Sequence, residues 1–136
     1  MDALREFLAL NGVLVVFLAA AAGFSLYLNL IRDRNPHDWH LLHAGGTARG
    51  VLLIGLGGVI HLSGLGVTQA VVAAGLVVVF VWTSTLAMLL RAVTGEDGFH
   101  FSGALSNRLA FALYAIGAVC LFPGLALLAW GFLLVW

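Results

Sequence analysis

The sequence predicts an all-α fold, a four-helix bundle integral to a membrane, built as a single domain over residues 1–136. Three observations lead there. Charged residues make up 9% of the chain and hydrophobic ones 62%, whereas about a quarter of a soluble domain is charged, so water is not the main solvent. Four apolar runs, residues 8–31, 43–62, 67–90 and 109–136, each come close to the roughly 20 residues that cross a bilayer core. The segments left between them are too short for a soluble domain.

The first helix is expected over residues 4–31. Its apolar run exceeds the roughly 7–15 residues of a cleavable signal, and Arg5 is the one basic residue before it, with Asp2 and Glu6 alongside, so it reads as a mature helix. Asn11 lies near its start and Asn29 near its end. Asn29 either faces other helices or reaches the headgroups. Loop one, Arg32-Asp33-Arg34-Asn35-Pro36, is charged and ends in proline, and Asp38 then stands where an N-cap is expected, with Trp39 at the interface.

Residues 50–62 are too few to span, so the second membrane segment begins near His43, which sets Arg49 roughly 9 Å deeper at 1.5 Å per residue. A charge at that depth is expected to face a cavity, a carboxylate or a ligand. The bland alternative is a side chain that snorkels back to the near interface. Loop two, Ser63-Gly64-Leu65-Gly66, can join only antiparallel neighbours. The third helix starts near Val67 and carries Trp82-Thr83-Ser84-Thr85, whose hydroxyls are expected to bond back to their own helix. Loop three, from Thr94 to Gly103, contains Phe99, His100 and Phe101 among turn-forming residues, and its aromatics could lie over a site. The fourth helix, over residues 106–136, is expected to kink at Pro123-Gly124, with Trp130 and Trp136 as interface anchors.

All six basic residues are arginine, and Arg32, Arg34, Arg91 and Arg108 flank loops one and three, with Arg49 near that side and Arg5 alone opposite. The positive-inside rule then makes loops one and three cytoplasmic. The expected location is a bacterial inner membrane. A net charge of zero gives no electrostatic case for nucleic acid. The single Cys120 allows no internal disulfide and no Cys-x-x-Cys-His attachment motif, so any haem is held noncovalently.

The chemistry concentrates in Trp39-His40-Leu41-Leu42-His43-Ala44-Gly45-Gly46-Thr47-Ala48-Arg49-Gly50. His37, His40 and His43 recur every three residues, while His61 shares their helix about 27 Å away, too far to join them on one metal. His40 and His43 are neighbours on the helix surface, but no Cys, Asp or Glu obviously completes a tetrahedral zinc set. Haem fits better, since it needs an axial ligand, a greasy slot and cations for its propionates. His43 offers the ligand. Arg49, Arg32 or Arg34 could meet propionates, and Gly45, Gly46 and Gly50 allow either a flat macrocycle or another helix to approach. Trp39 and His40 complete the candidate cofactor site.

Here the chain resembles the styrene oxide isomerases, small four-helix membrane proteins. The resemblance rests on Asn11-Gly12-Val13-Leu14 with Phe17 and Gly23, on Leu28-Asn29-Leu30, on Trp39-x-x-x-His43-x-Gly45 with Gly50, and on Gly98-Phe99-x-Phe101-x-Gly103. It implies haem b bound at the contacts of a homotrimer, His43 as the axial ligand to iron, and a ferric Lewis acid that isomerises a lipophilic epoxide to a carbonyl compound. The chain departs from that pattern where it matters for catalysis. Arg49 replaces the asparagine expected before Gly50, and apolar residues near Phe80 and Met88 replace the aspartate and tyrosine expected on the third helix. The resemblance therefore carries the cofactor site and leaves catalytic residues unassigned. The competing expectations are a b-type haem protein for electron transfer or haem or gas sensing, with His100 or His40 as a second axial ligand, and a packing subunit without cofactor.

Overall fold

A computed structural model describes residues 1–32 and 36–135. They form four helices, α1 (Asp2–Ile31), α2 (His37–Val59), α3 (Val67–Thr94) and α4 (Leu105–Leu133), with a short 3₁₀ turn (Ile60–Leu62) closing α2 and no strand among the described residues. All four are long and apolar enough to cross a membrane. Parts of two expectations, Arg34 as a propionate partner and Trp136 as an anchor, lie outside the described residues.

The helices pack as two antiparallel hairpins, α1 on α2 and α3 on α4, joined along α2 and α3. In α3, 44% of the most apolar window is buried inside the bundle, against 17% in α4, so α3 is the central helix and α4 an outer one. Lipid tails are as apolar as leucine, so helices associate by close packing more than by the hydrophobic effect. The α1–α2 contact shows this. Its buried α1 residues are Leu8, Gly12, Val15, Ala19 and Ala22, mostly small, and α2 answers with Leu42, Gly46, Gly50, Leu53, Leu56 and Gly57. A Cβ on Gly50 would stand 2.5 Å from a Val16 methyl and 2.7 Å from the Gly12 carbonyl, and one on Gly46 would stand 2.9 Å from the Ala19 methyl. Gly46 and Gly50 thus lie in the α1–α2 contact.

Asp38 is not the N-cap of α2. The helix begins one residue earlier, with Pro36 before it and no side-chain cap. Asp38 lies instead in the first turn, where a carboxylate meets the positive end of the helix dipole. There it accepts a 2.8 Å ion pair from Arg91 at the end of α3. Arg91, which the charge pattern counted only as a loop-side cation, is 8% exposed.

Asn29 donates to the Ser25 carbonyl of its own helix at 2.8 Å, while Asn11 accepts from the Trp82 indole at 2.8 Å and so ties α1 to α3. Thr83 and Ser84 bond back to the Val79 and Phe80 carbonyls as expected. Thr85 does not: its hydroxyl is fully buried and unpartnered. The α-helix α4 continues through Pro123, and the Cβ-free Gly124 beside it lies against Leu76 and Val77 of α3.

The crowding at Gly50 yields a matched test. Gly50→Ala should lower stability in a membrane mimetic by about 1–3 kcal/mol, the usual cost of overpacking. Gly58→Ala, on the same helix with nothing within 4 Å of the added carbon, should leave stability unchanged or slightly raised. Equal unfolding midpoints for both variants would contradict the close α1–α2 approach.

Candidate functional site

His43 stands on the side of α2 that faces α1, and its Nδ1 lies 2.8 Å from the Ala19 carbonyl oxygen. A carbonyl can only accept, so Nδ1 donates and carries the ring proton. In the neutral imidazole Nε2 is then bare, with its lone pair available to a metal or a donor. The contact is possible because Gly23 has no side chain: a Cβ there would stand 2.8 Å from Nδ1 and 2.9 Å from Cε1. A backbone carbonyl on one ring nitrogen is the usual support of a metal-binding histidine, fixing both tautomer and orientation.

The other histidines are placed differently. His40 is exposed on α2, His61 is exposed in the 3₁₀ turn, and His100 is exposed in loop three with its Nδ1 3.3 Å from Asp97. His40 and His43 thus do not converge on one point. Among the described residues, no three His, Cys, Asp or Glu side chains gather closely enough to hold a metal ion. Trp39 is half-buried and, with Leu42, Leu18, Ala22, Ser25 and Leu89, lines an apolar cavity of about 220 Å³ among α1, α2 and α3. A larger open hollow of about 450 Å³ lies at the other end of the bundle, between Arg5 and Gly57, with none of the candidate residues in its walls.

Arg49 faces α3, not α1. Its side chain runs back along α2 over Gly45, where a Cβ would stand 2.9 Å from Nη1. The guanidinium ends 3.1 Å from the Met88 sulfur and 5.8 Å from the centre of the Phe80 ring. The side chain turns toward the start of α2, the direction snorkelling requires, and ends against α3. His43 and Arg49 are held by different neighbouring helices, His43 by α1 and Arg49 by α3. Arg49, Phe80 and Met88 are gathered in this structure as one cluster between α2 and α3.

Loop three is a folded lid over the ends of α3 and α4. Gly95 ends α3 with φ +75°, and Gly98 with φ +71° lies under Arg91, conformations that side chains disfavour. Asn107 accepts from the Gly98 amide and donates to the His100 and Ser102 carbonyls, each at 2.8 Å. Phe99 stacks on Tyr114 at 5.9 Å and lies 4.7 Å from the Arg91 guanidinium carbon. Phe101 meets Phe111 at 5.7 Å. The loop aromatics thus cover α4 and Arg91.

Sequence reasoning missed the Ala19 carbonyl, the Arg91–Asp38 pair and the Asn107 clamp. Gly12, Ala19 and Gly23 lie at helical spacings that give α1 one small-residue stripe, a signal that another helix approaches that face but not of what bonds there. A carbonyl partner leaves no such signal, since every residue has one.

A family model described as styrene oxide isomerase matches residues 4–133 of the chain. No curated protein matches it.

Two outcomes follow. Gly23→Ala should displace the His43 ring while changing stability by about 1 kcal/mol or less, because a side chain and not backbone must yield. Imidazole ¹⁵N shifts should report a proton on Nδ1 in the native protein and lose that preference in the variant; an unchanged tautomer would contradict the contact. In loop three the Asp97 carboxyl is held below its ordinary value of 3.8, first because the Phe99 amide donates to it and then, against slight desolvation, because of His100 and Arg91. A depressed carboxyl contributes order above its unfolded value and loses it as pH falls through the folded one. Amide-exchange protection of Phe99 should therefore hold down to about pH 4 and fall below it, and Asp97→Asn should remove that dependence.

Proposed function

The chain belongs to the styrene oxide isomerase family, and from that premise we propose that it is a membrane isomerase that binds haem b through His43 and converts a lipophilic epoxide to a carbonyl compound. The observation that carries this reading is the 2.8 Å bond from Nδ1 to the Ala19 carbonyl, which frees Nε2 for iron. When bound, ferric haem supplies a Lewis acid able to polarise an epoxide oxygen. The chain's own residues then have distinct parts. His43 holds the iron from one side, Ala19 fixes the imidazole, and Gly23 makes room for it. Trp39 and Leu42 form an apolar wall that excludes water beside it.

The cavity at Trp39, about 220 Å³, is smaller than the roughly 300–1,000 Å³ that encloses a drug-sized ligand. One protomer's His43, Trp39 and Leu42 would therefore hold a porphyrin without enclosing it. A second copy of the chain completes the site, and a homotrimer is the assembly we propose. Gly46 and Gly50 serve it indirectly, by drawing α1 close enough for the Ala19 carbonyl to reach His43. The arginines Arg32 and Arg108 support loops one and three on the cytoplasmic side of a bacterial inner membrane.

A second reading, a b-type haem protein without isomerase activity, is favoured by one observation. Arg49, Phe80 and Met88 stand together where the family pattern has its polar side chains. In that case His40 or His100 supplies the sixth ligand.

The absorption spectrum of the purified protein separates these. Wild type and His61→Ala should carry a Soret band, and His43→Ala should lose it; equal retention by both variants would falsify the assignment. A spectrum that shifts on adding an epoxide or amine supports the isomerase, and a six-coordinate low-spin spectrum in both redox states supports the second reading.

A further inference from the structure

We propose that Arg49 is a carboxylate-binding site on the α2–α3 contact, separate from the imidazole of His43. A guanidinium presents five N–H donors. In this structure one reaches the Met88 thioether at 3.1 Å, a weak acceptor, and the Phe80 ring at 5.8 Å adds cation–π attraction. Neither partner carries a charge. Among the described residues, the carboxylates that form ion pairs are Asp2, Asp38 and Asp97, and none pairs with Arg49. The group is thus held in position with no carboxylate among the described residues paired to it, within a helix long and apolar enough to span the bilayer.

The mounting is specific. Gly45 makes room for Nη1, since any Cβ there would stand 2.9 Å from it and 3.3 Å from the Met88 methyl. A pinned, planar fork in an apolar setting matches a carboxylate, which can accept two parallel N–H bonds. An uncompensated charge inside a membrane protein characteristically faces a partner of opposite sign or a ligand pathway. The ligand is therefore a carboxylate on a lipophilic body.

Two sources share that chemistry, a porphyrin propionate and a free amphiphilic acid. The propionate source rests on the haem reading given above, and the free acid does not. The test uses the full chain in lipid nanodiscs, as wild type, Arg49→Gln and Arg49→Lys. Haem b, haem dimethyl ester and decanoate are titrated by absorbance or calorimetry. If propionates are the ligand, wild type should bind haem b at least tenfold tighter than the ester, and Arg49→Gln should erase the difference. If a free acid is the ligand, decanoate should bind wild type and weaken at least tenfold in Arg49→Gln, with the two haems unaffected. Arg49→Lys keeps the charge without the fork and should fall between, which preserves the test should the glutamine variant fold poorly. The proposal is overturned if wild type neither binds decanoate nor distinguishes haem b from its ester, or if both variants bind every ligand as wild type does. Loss of all haem binding by wild type removes the haem reading, and the decanoate arm still decides this one.

Discussion

The near-contact of α1 and α2 is the constraint on which the rest depends. It exists because the helices present glycine or alanine to one another at Gly12, Ala19, Gly46, Gly50 and Gly57, so that backbone meets backbone at distances a longer side chain would forbid. In a bilayer this gives dispersion contacts that lipid cannot match. It also has a chemical result. Only at that separation can an imidazole on one helix bond to a main-chain carbonyl on the other, and only with Gly23 opposite can the ring lie flat against the backbone. Packing and site chemistry are here the same arrangement seen twice.

A second contact organises the end of the bundle at which α2 begins and α3 closes. Arg91 bonds to Asp38, lies over Gly98 and faces the Phe99 ring, so α2, α3 and loop three meet at one guanidinium. Removing one partner of such a pair leaves a poorly solvated charge behind, which costs more than the pair itself contributes. The two hairpins are therefore joined by apolar packing along their length, by the Trp82–Asn11 bond, and by a polar knot near the end where His43 stands.

The architecture was legible in the sequence because length and charge scarcity act globally: no local ambiguity can hide four runs of bilayer length. His43 was legible as a candidate because an imidazole at the head of a span is chemically conspicuous. Its supporting groups were not, because one is a carbonyl and the other, Gly23, contributes only the absence of a side chain. Asp38 misled in the opposite way. An aspartate before an apolar run has the composition of a cap, but Pro36 lets the helix start earlier, and the carboxylate is then drawn to Arg91. Arg49 was legible as a charge inside a span, while the direction in which it turns depends on Met88 and Phe80, which lie far away in the chain. Thr85 breaks the rule that its neighbours Thr83 and Ser84 obey, and nothing in the structure explains why.

The clamp around Asn107 has a consequence for handling the protein. Loop three is the longest connection among the described residues, and its length alone would recommend it for a fluorophore or an affinity tag. Three bonds from one amide hold its middle, from Gly98 to Ser102, as firmly as a further turn of packing. A graft inside that stretch would pull on α3 and α4 together, and one at Gly95, although open space lies beside it, would have to keep the positive φ that glycine supplies there.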